Sequence, residues 1–173
     1  MKFFYYEKRE FETLVRKGIA NYLEQFENKD YELKTVTLSI KKVSDNELMW
    51  FVPQFFDKVV HYYKFPSYID VAGVIVGKKH GHFIARMPYI NYPSMRDYWK
   101  EITGGDTGFY IRRLGKRDLK RVVKGREFSG NPLVYCLSQE KRDEYLEYVA
   151  TSTWGLVNYY SKKAKNSFIT QKL

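Results

Sequence analysis

The sequence predicts an α+β domain with a mainly antiparallel sheet of about four strands, helices packed on one face, and flanking helices at both ends. Stretches with helical periodicity and stretches with strand-like alternation follow one another in the order α-β-α-β-β-α-β-α. Two of the strand-like stretches are separated only by a glycine and two lysines, which predicts a hairpin. The length of 173 residues suits one core, which we assign to residues 1–160, followed by a basic tail at 161–173.

The first helix and the first strand are indicated by periodicity. Residues 7–27 place apolar side chains three and four positions apart, as in an amphipathic helix. Gly18 lies on that apolar stripe and indicates close contact with another element. Residues 33–41 alternate apolar with hydroxyl-bearing side chains, which predicts a strand with one apolar face and one hydroxyl-bearing face.

A second helix and the hairpin follow. Ser44 and Glu47 have the spacing of a capping box, so we expect a helix to begin there and to carry apolar residues as far as Tyr62. Residues 68–76 are rich in β-branched side chains, and residues 81–88 are again mainly apolar. These two stretches form the strands of the predicted hairpin.

The remaining elements are expected in the order helix, strand, helix. Ser94 is a suitable N-cap for a short helix that ends at Gly104 and Gly105. Residues 107–114 alternate as a strand. One helix or a pair of helices is expected over residues 132–150.

Two of the three histidines in the chain, His80 and His82, stand at the start of the second hairpin strand. Alternate side chains of a strand share a face, so the two imidazoles are expected to point the same way. Such a pair can hold a divalent cation or a phosphate, although a metal site normally has a third ligand. The alternative is two partly exposed histidines beside a turn.

The charge of the chain favours a polyanionic partner. Thirty Lys and Arg residues against 20 Asp and Glu residues give a formal net charge of +10, and 16 tyrosines and 12 phenylalanines accompany them. Rings interleaved with cations suit single-stranded nucleic acid, because bases stack on the rings while the cations follow the phosphates. The alternative is that the rings are core residues and that the charge serves solubility.

One segment concentrates this charge, and it contains a single acidic residue, Asp118. Either it is a solvated face, or it contacts phosphates, which we favour because the whole chain is basic. The candidate nucleic-acid-binding residues are Arg112, Arg113, Lys116, Arg117, Lys120, Arg121 and Lys124.

The single cysteine, Cys136, excludes an internal disulfide and is compatible with a reducing compartment. No signal peptide is recognisable, and no apolar stretch approaches the ~20 residues of a membrane span. We therefore expect a cytoplasmic protein with no membrane partner.

The order of these elements and motifs resembles that of the HUH endonucleases, the replication initiators and relaxases that nick single-stranded DNA. The resemblance covers roughly residues 33–154 and rests on three short motifs, each at the matching position of a βαββαβ core. The motifs are Thr35-Val36-Thr37-Leu38-Ser39, Gly77-Lys78-Lys79-His80-Gly81-His82, and Tyr135 within Pro132-Leu133-Val134-Tyr135.

The resemblance implies that His80 and His82 hold Mg²⁺ or Mn²⁺, and that Tyr135 attacks the scissile phosphate to form a phosphotyrosyl link. The family's third ligand has no good match. With Lys78-Lys79 as a two-residue turn, His82 pairs with Ile75 and Asp70 lies ~16 Å away, too far to bind the metal. The rival nucleophiles are Tyr145, Tyr148, Tyr159 and Tyr160.

The function expected from this resemblance is that of a nicking initiator of mobile-element replication in the host of a plasmid or virus. Its partner would be single-stranded or origin DNA, with RNA as an alternative. Two other functions stay open: a non-enzymatic DNA- or RNA-binding domain, and an accessory factor whose aromatic residues bind another protein.

Overall fold

The computed structural model describes residues 1–24, 32–41, 45–62, 69–87, 90–105, 107–115, 117, 119–120, 145–152 and 154. In this part of the chain the elements are β1 (Phe3–Tyr6), α1 (Lys8–Glu24), β2 (Glu32–Ser39), α2 (Leu48–Tyr62), β3 (Asp70–Val76), β4 (His80–Met87), α3 (Tyr92–Thr103), β5 (Phe109–Arg113) and β6 (Leu146–Thr151). The strands form one antiparallel sheet, so the α+β class is confirmed, with six strands where about four were expected. No helix among the described residues has the length and apolar character needed to cross a membrane.

The strand order of the sheet is β1-β6-β3-β4-β2-β5. Its β3-β4-β2-β5 part is built by the consecutive unit β2-α2-β3-β4-α3-β5, in which each helix crosses over one intervening strand. Crossovers of this kind share one hand, which brings α2 and α3 to the same face of the sheet. The two crossover helices therefore pack together on one face, as predicted.

Two separate apolar clusters cover the two faces of the sheet. On one face, here called the α2/α3 face, Phe55 and Trp99 meet edge to face with ring centroids 5.6 Å apart. On the opposite face, here called the α1 face, Phe11, Val15 and Ile19 of α1 pack onto the strands. The strand residues of this cluster are Leu33, Ala72, Val74, Ile84, Tyr148 and Ala150.

The helix expected over residues 132–150 is wrong where the structure describes it, because Leu146–Thr151 is strand β6. This strand lies between β1 and β3, and its side chains alternate, with Tyr148 in the α1 cluster and Val149 in the α2/α3 cluster. Residues 132–144 lie outside the described part of the chain. Strand β1 is also missing from the sequence prediction, because its four residues show no alternation and its partner comes from the other end of the chain.

Two helix starts differ from the sequence prediction. Helix α2 begins at Leu48, whose N–H donates to the carbonyl oxygen of Lys78 at 2.7 Å, while Ser44 lies outside the described residues. Helix α3 is capped by Asn91, whose Oδ1 accepts from the backbone N–H of Ser94 at 2.9 Å. Ser94 is thus a donor within the first turn, not the cap. The helix ends at a left-handed glycine, as predicted.

Gly18 on α1 makes the close approach that the sequence indicates. Its partner is the indole ring of Trp154, whose Nε1 donates to the carbonyl oxygen of Leu14 at 3.1 Å. A Cβ atom at residue 18 would lie 2.3 Å from that Nε1, closer than any tolerated contact. The absence of a side chain at Gly18 therefore allows Trp154, which follows β6, to pack closely against α1.

Gly18→Ala should lower the free energy of unfolding by about 1–2 kcal/mol, because overpacking against the indole outweighs the gain of about 1 kcal/mol in helix propensity. Urea denaturation of both proteins measures this difference.

The matched test repeats the substitution in a Trp154→Leu background, where the ring is gone. There Gly18→Ala should stabilise the protein by up to about 1 kcal/mol. An equal loss of stability in both backgrounds would show that Trp154 is not the obstacle.

Candidate metal and nucleic-acid site

The turn between β3 and β4 decides where the two histidines lie. Three residues connect the strands, and the first two, Gly77 and Lys78, have φ values of 58° and 64°. Such left-handed pairs match the twist of a hairpin. His82 therefore pairs with Val74, and the expected pairing with Ile75 across a two-residue turn is wrong by one position.

A slip of one residue exchanges the two faces of a strand, so the register has consequences for the site. Val74 belongs to the α1 cluster, which places His80 and His82 on the α1 face. Asp70 lies on the same face, four residues along β3 from the partner of His82, or ~13 Å at strand rise. It is buried directly across from Arg86. Asp70 therefore stays excluded as a third ligand, although the register is different.

Backbone hydrogen bonds from three other segments hold the turn in place. The N–H of Ile40 donates to Lys79 at 3.0 Å, and the N–H of Gly77 donates to Tyr145 at 2.9 Å. Lys78 accepts the first N–H of α2, and its Nζ lies 2.9 Å from a carboxylate oxygen of Glu47. These bonds therefore fix the backbone at His80, the residue that follows the turn.

The two imidazole rings contact each other through their outer nitrogens. Nε2 of His80 and Nε2 of His82 are 2.8 Å apart, and the rings stand nearly perpendicular at 82°. On its other side, Nδ1 of His82 lies 3.3 Å from Oγ1 of Thr37. Burial, and secondarily the charge of His80, lower the pKa of His82 to about 4. His82 is therefore neutral at pH 7 and has a nitrogen lone pair to share.

The spacing of the two nitrogens suits adjacent ligands of a six-coordinate ion. Ligand atoms at about 2.1 Å from such an ion and at right angles lie about 3.0 Å apart, so the pair needs to open by only a few tenths of an ångström. No group of three or more His, Cys, Asp or Glu side chains suited to a metal occurs in the described part of the chain. Two imidazoles suit a transition metal better than Mg²⁺, which prefers oxygen ligands.

The residue between the histidines is glycine for a packing reason. Its Cα faces the α2/α3 core, where a Cβ at Gly81 would lie 2.6 Å from the ring of Phe83 and 2.8 Å from Leu48. The same ring closes over Gly73 on the neighbouring strand, where a Cβ would lie 2.2 Å from it. The apolar volume beneath the site is thus supplied by Phe83 in place of a bulky residue 81.

The histidines belong to a polar patch that we call the histidine face. It consists of Thr37, Ser39, His80, His82 and Tyr110, which are neighbours in the register of β5, β2 and β4. Their side chains are half-buried, except that of Tyr110, which is 55% exposed. Helix α1 packs chiefly against β6, at the other side of the sheet. The side chains of the histidine face therefore keep part of their surface exposed.

The first two residues of the predicted basic run point to opposite sides of the sheet. Arg112 pairs with Thr35 and lies on the α1 face, two positions from Tyr110 on the same strand. Arg113 pairs with Lys34 and lies on the α2/α3 face. Both arginines are exposed, so only Arg112 adds a cation beside the histidine face.

Two further cations of the run follow β5. Arg117 and Lys120 are exposed, whereas Leu114 and Leu119 of the same segment are buried in the α1 cluster. This segment is thus anchored on the side of the sheet that carries the histidines. The other predicted members of the run, Lys116, Arg121 and Lys124, lie outside the described residues.

The candidate nucleophile Tyr135 also lies outside the described residues, as do Tyr159 and Tyr160. Of the rivals that the structure describes, Tyr148 is buried with its ring centroid 5.2 Å from that of Phe11. A nucleophile must reach its substrate, so Tyr148 is a core residue. Tyr145 is exposed and lies beside the hairpin turn, where Nζ of Lys78 is 5.4 Å from the centre of its ring. Of the two described rivals, it is the one that a substrate could reach.

Sequence reasoning did not select Tyr110 or Thr37 as separate site residues. The signal was present, because residues 107–114 alternate and place Tyr110 with Arg112 on the polar side of the strand. What the sequence could not give is the order of the strands, which brings this side beside the histidines.

In metal-free protein, the imidazole resonances of His82 should keep their neutral-state shifts down to about pH 5 and change only as the pH nears 4. The unfolded chain binds this proton at a pKa near 6.5, so folding stability should fall as the pH falls from about 6.5 towards 4. NMR titration of the imidazole resonances measures the midpoint. A midpoint near 6.5 for His82 would contradict the burial argument.

The chain finds no match when it is compared with models of known protein families, with curated proteins or with solved structures. Its function must therefore be argued from the geometry of the histidine face.

Proposed function

We propose that this protein is a metal-dependent nuclease that nicks single-stranded DNA at the histidine face, in the manner of a replication initiator. The observation that carries the proposal is the pair of Nε2 atoms, 2.8 Å apart on one strand at a partly exposed face. Cations on the same side of the sheet support a polyanionic substrate. Such an activity would belong inside a cell that hosts a plasmid or virus.

The two histidines would hold the metal ion through Nε2, and Thr37 would orient the His82 ring through Nδ1. A bound divalent ion supplies positive charge that polarises the phosphoryl oxygen and stabilises the charge that develops on it. The remaining coordination positions suit water and phosphate oxygens, since the described residues add no carboxylate.

The resemblance to HUH endonucleases assigns the attack to the phenolic oxygen of Tyr135. In that step the phenol loses its proton, a bond forms between its oxygen and phosphorus, and the bond to the 3′ oxygen breaks. The products are a phosphotyrosyl link to the 5′ side and a strand that ends in a 3′ hydroxyl.

The second candidate is a non-enzymatic binder of single-stranded DNA or RNA. It is favoured by one observation, namely that the described residues provide two metal ligands and no third carboxylate or histidine beside them. In that case the 2.8 Å contact is an N–H···N hydrogen bond between the two rings, and the same face binds phosphates and bases without cleaving.

Mn²⁺ should bind between the two histidines and permit cleavage. Added Mn²⁺ should broaden the imidazole resonances of both residues, and incubation with a randomised pool of labelled single strands should give a covalent adduct that survives denaturing electrophoresis. His80→Ala and His82→Ala should each abolish both signals, because one imidazole alone holds the ion weakly.

Tyr135→Phe should abolish the adduct while leaving the Mn²⁺ broadening intact, since only the phenolic oxygen attacks phosphorus. His61→Ala, which removes the third histidine of the chain from an exposed position on α2, is the matched control and should change neither signal. Salt-sensitive strand binding with no broadening and no adduct would select the non-enzymatic binder.

Arg112→Gln should weaken single-strand binding several-fold and reduce the slope of log affinity against log salt by about 1, because one phosphate contact is lost. Arg113→Gln removes the same charge from the adjacent residue on the opposite face, and it should leave both quantities nearly unchanged. Fluorescence anisotropy at several salt concentrations measures both. Equal effects of the two substitutions would mean that binding does not use the histidine face.

A further inference from the structure

Tyr110 is an exposed aromatic residue of β5. Its strand neighbour Phe109 faces the other way, into the core, with its ring centroid 5.8 Å from that of Phe55. The Tyr110 ring is instead 55% exposed, on the edge strand of the sheet. A large ring left in water on a strand gains little from burial, and it presents an aromatic surface to a binding partner.

The exposed large aromatic residues of the described chain lie in different places. Trp50 is on α2, Tyr92 on α3, and Tyr145 beside the hairpin turn, while Phe4 and Tyr5 belong to β1 at the far edge of the sheet. Tyr110 is the one member of this set on the histidine face. Its location therefore associates it with the candidate site.

The register places Tyr110 at a defined distance from the histidines. Tyr110 is paired with Thr37, and Thr37 with His82, so the tyrosine lies two strand spacings away, about 10 Å between backbones. Arg112 follows on the same side of β5. A phosphate at the histidines would thus have a ring within reach of a neighbouring base and a cation within reach of a further phosphate.

We infer that Tyr110 is a stacking platform for an unpaired base of the strand whose phosphate lies at His80 and His82. This inference rests on the proposed function, and it names the substrate class more closely. A base can stack on a ring only when it is released from the helical stack, so the platform selects single-stranded nucleic acid over duplex.

The test separates stacking from phosphate contacts by comparing two probes of equal length and charge. One is an oligothymidylate, and the other is the same strand with every base removed. Binding is measured by anisotropy at one fixed salt concentration, because affinity depends steeply on salt. Tyr110→Ala should weaken binding of the oligothymidylate about tenfold and leave binding of the abasic strand unchanged.

Three variants serve as controls. Tyr110→Phe keeps the ring and should bind both probes like the wild type. Tyr5→Ala removes a ring of similar exposure, 60%, from the other edge strand, on the α2/α3 face, and should change nothing. Arg112→Gln should weaken binding of both probes by the same factor, since it acts on phosphates.

If Tyr110→Ala loses affinity equally for the two probes, or loses affinity for neither, the stacking inference is wrong. A loss of binding in Tyr110→Phe would overturn it too, because the hydroxyl and not the ring would then be the contact. If the wild-type protein forms the covalent adduct and Tyr110→Ala still binds the oligothymidylate normally, only the stacking inference is refuted. A base-dependent loss in Tyr110→Ala without any adduct refutes only the nuclease.

Discussion

The register of the β3-β4 hairpin is the constraint on which the site depends. A turn one residue shorter would transfer both imidazoles into the α2/α3 core, where they would face Phe83 and its neighbours without polar partners. The left-handed backbone of Gly77 and Lys78 sets the turn, and backbone hydrogen bonds with Ile40, Leu48 and Tyr145 hold it. The position of the two histidine side chains is thereby decided by backbone groups of the turn and its neighbours.

The two faces of the sheet are covered unequally, and the difference separates stability from chemistry. The crossover helices fill the α2/α3 face with large rings, including Phe55, Phe56 and Trp99. On the α1 face, α1 covers the β6 side, while β4, β2 and β5 carry imidazoles, hydroxyls and a phenol. The packed face can hold the strands rigid while the polar face keeps part of its surface exposed, as a preorganised site would require.

Local patterns predicted the elements with strong periodicity. Helix α1, strand β2, the hairpin strands and strand β5 follow from alternation or from three- and four-residue spacing, and these carry the histidines and Tyr110. The elements that were predicted wrongly depend on contacts between residues far apart in the sequence or on the backbone of a turn. Strand β6 resembles a helix end in sequence, and it becomes a strand because β1 and β3 lie on either side of it. The one-residue error at the turn arose because Lys78, a non-glycine residue, adopts a left-handed conformation.

The glycine between the histidines links the chemistry of the face to the core beneath it. The ring of Phe83 fills the space beside Gly73 and Gly81, and Leu48 also borders Gly81. The strand that carries both imidazoles is therefore packed against this ring on its opposite face. A larger side chain at residue 81 would have to be matched by a smaller one at residue 83 or 48. These positions are therefore expected to diverge together in evolution, and repacking of the core is a route by which drift or design can retune the separation of the two nitrogens without changing either histidine.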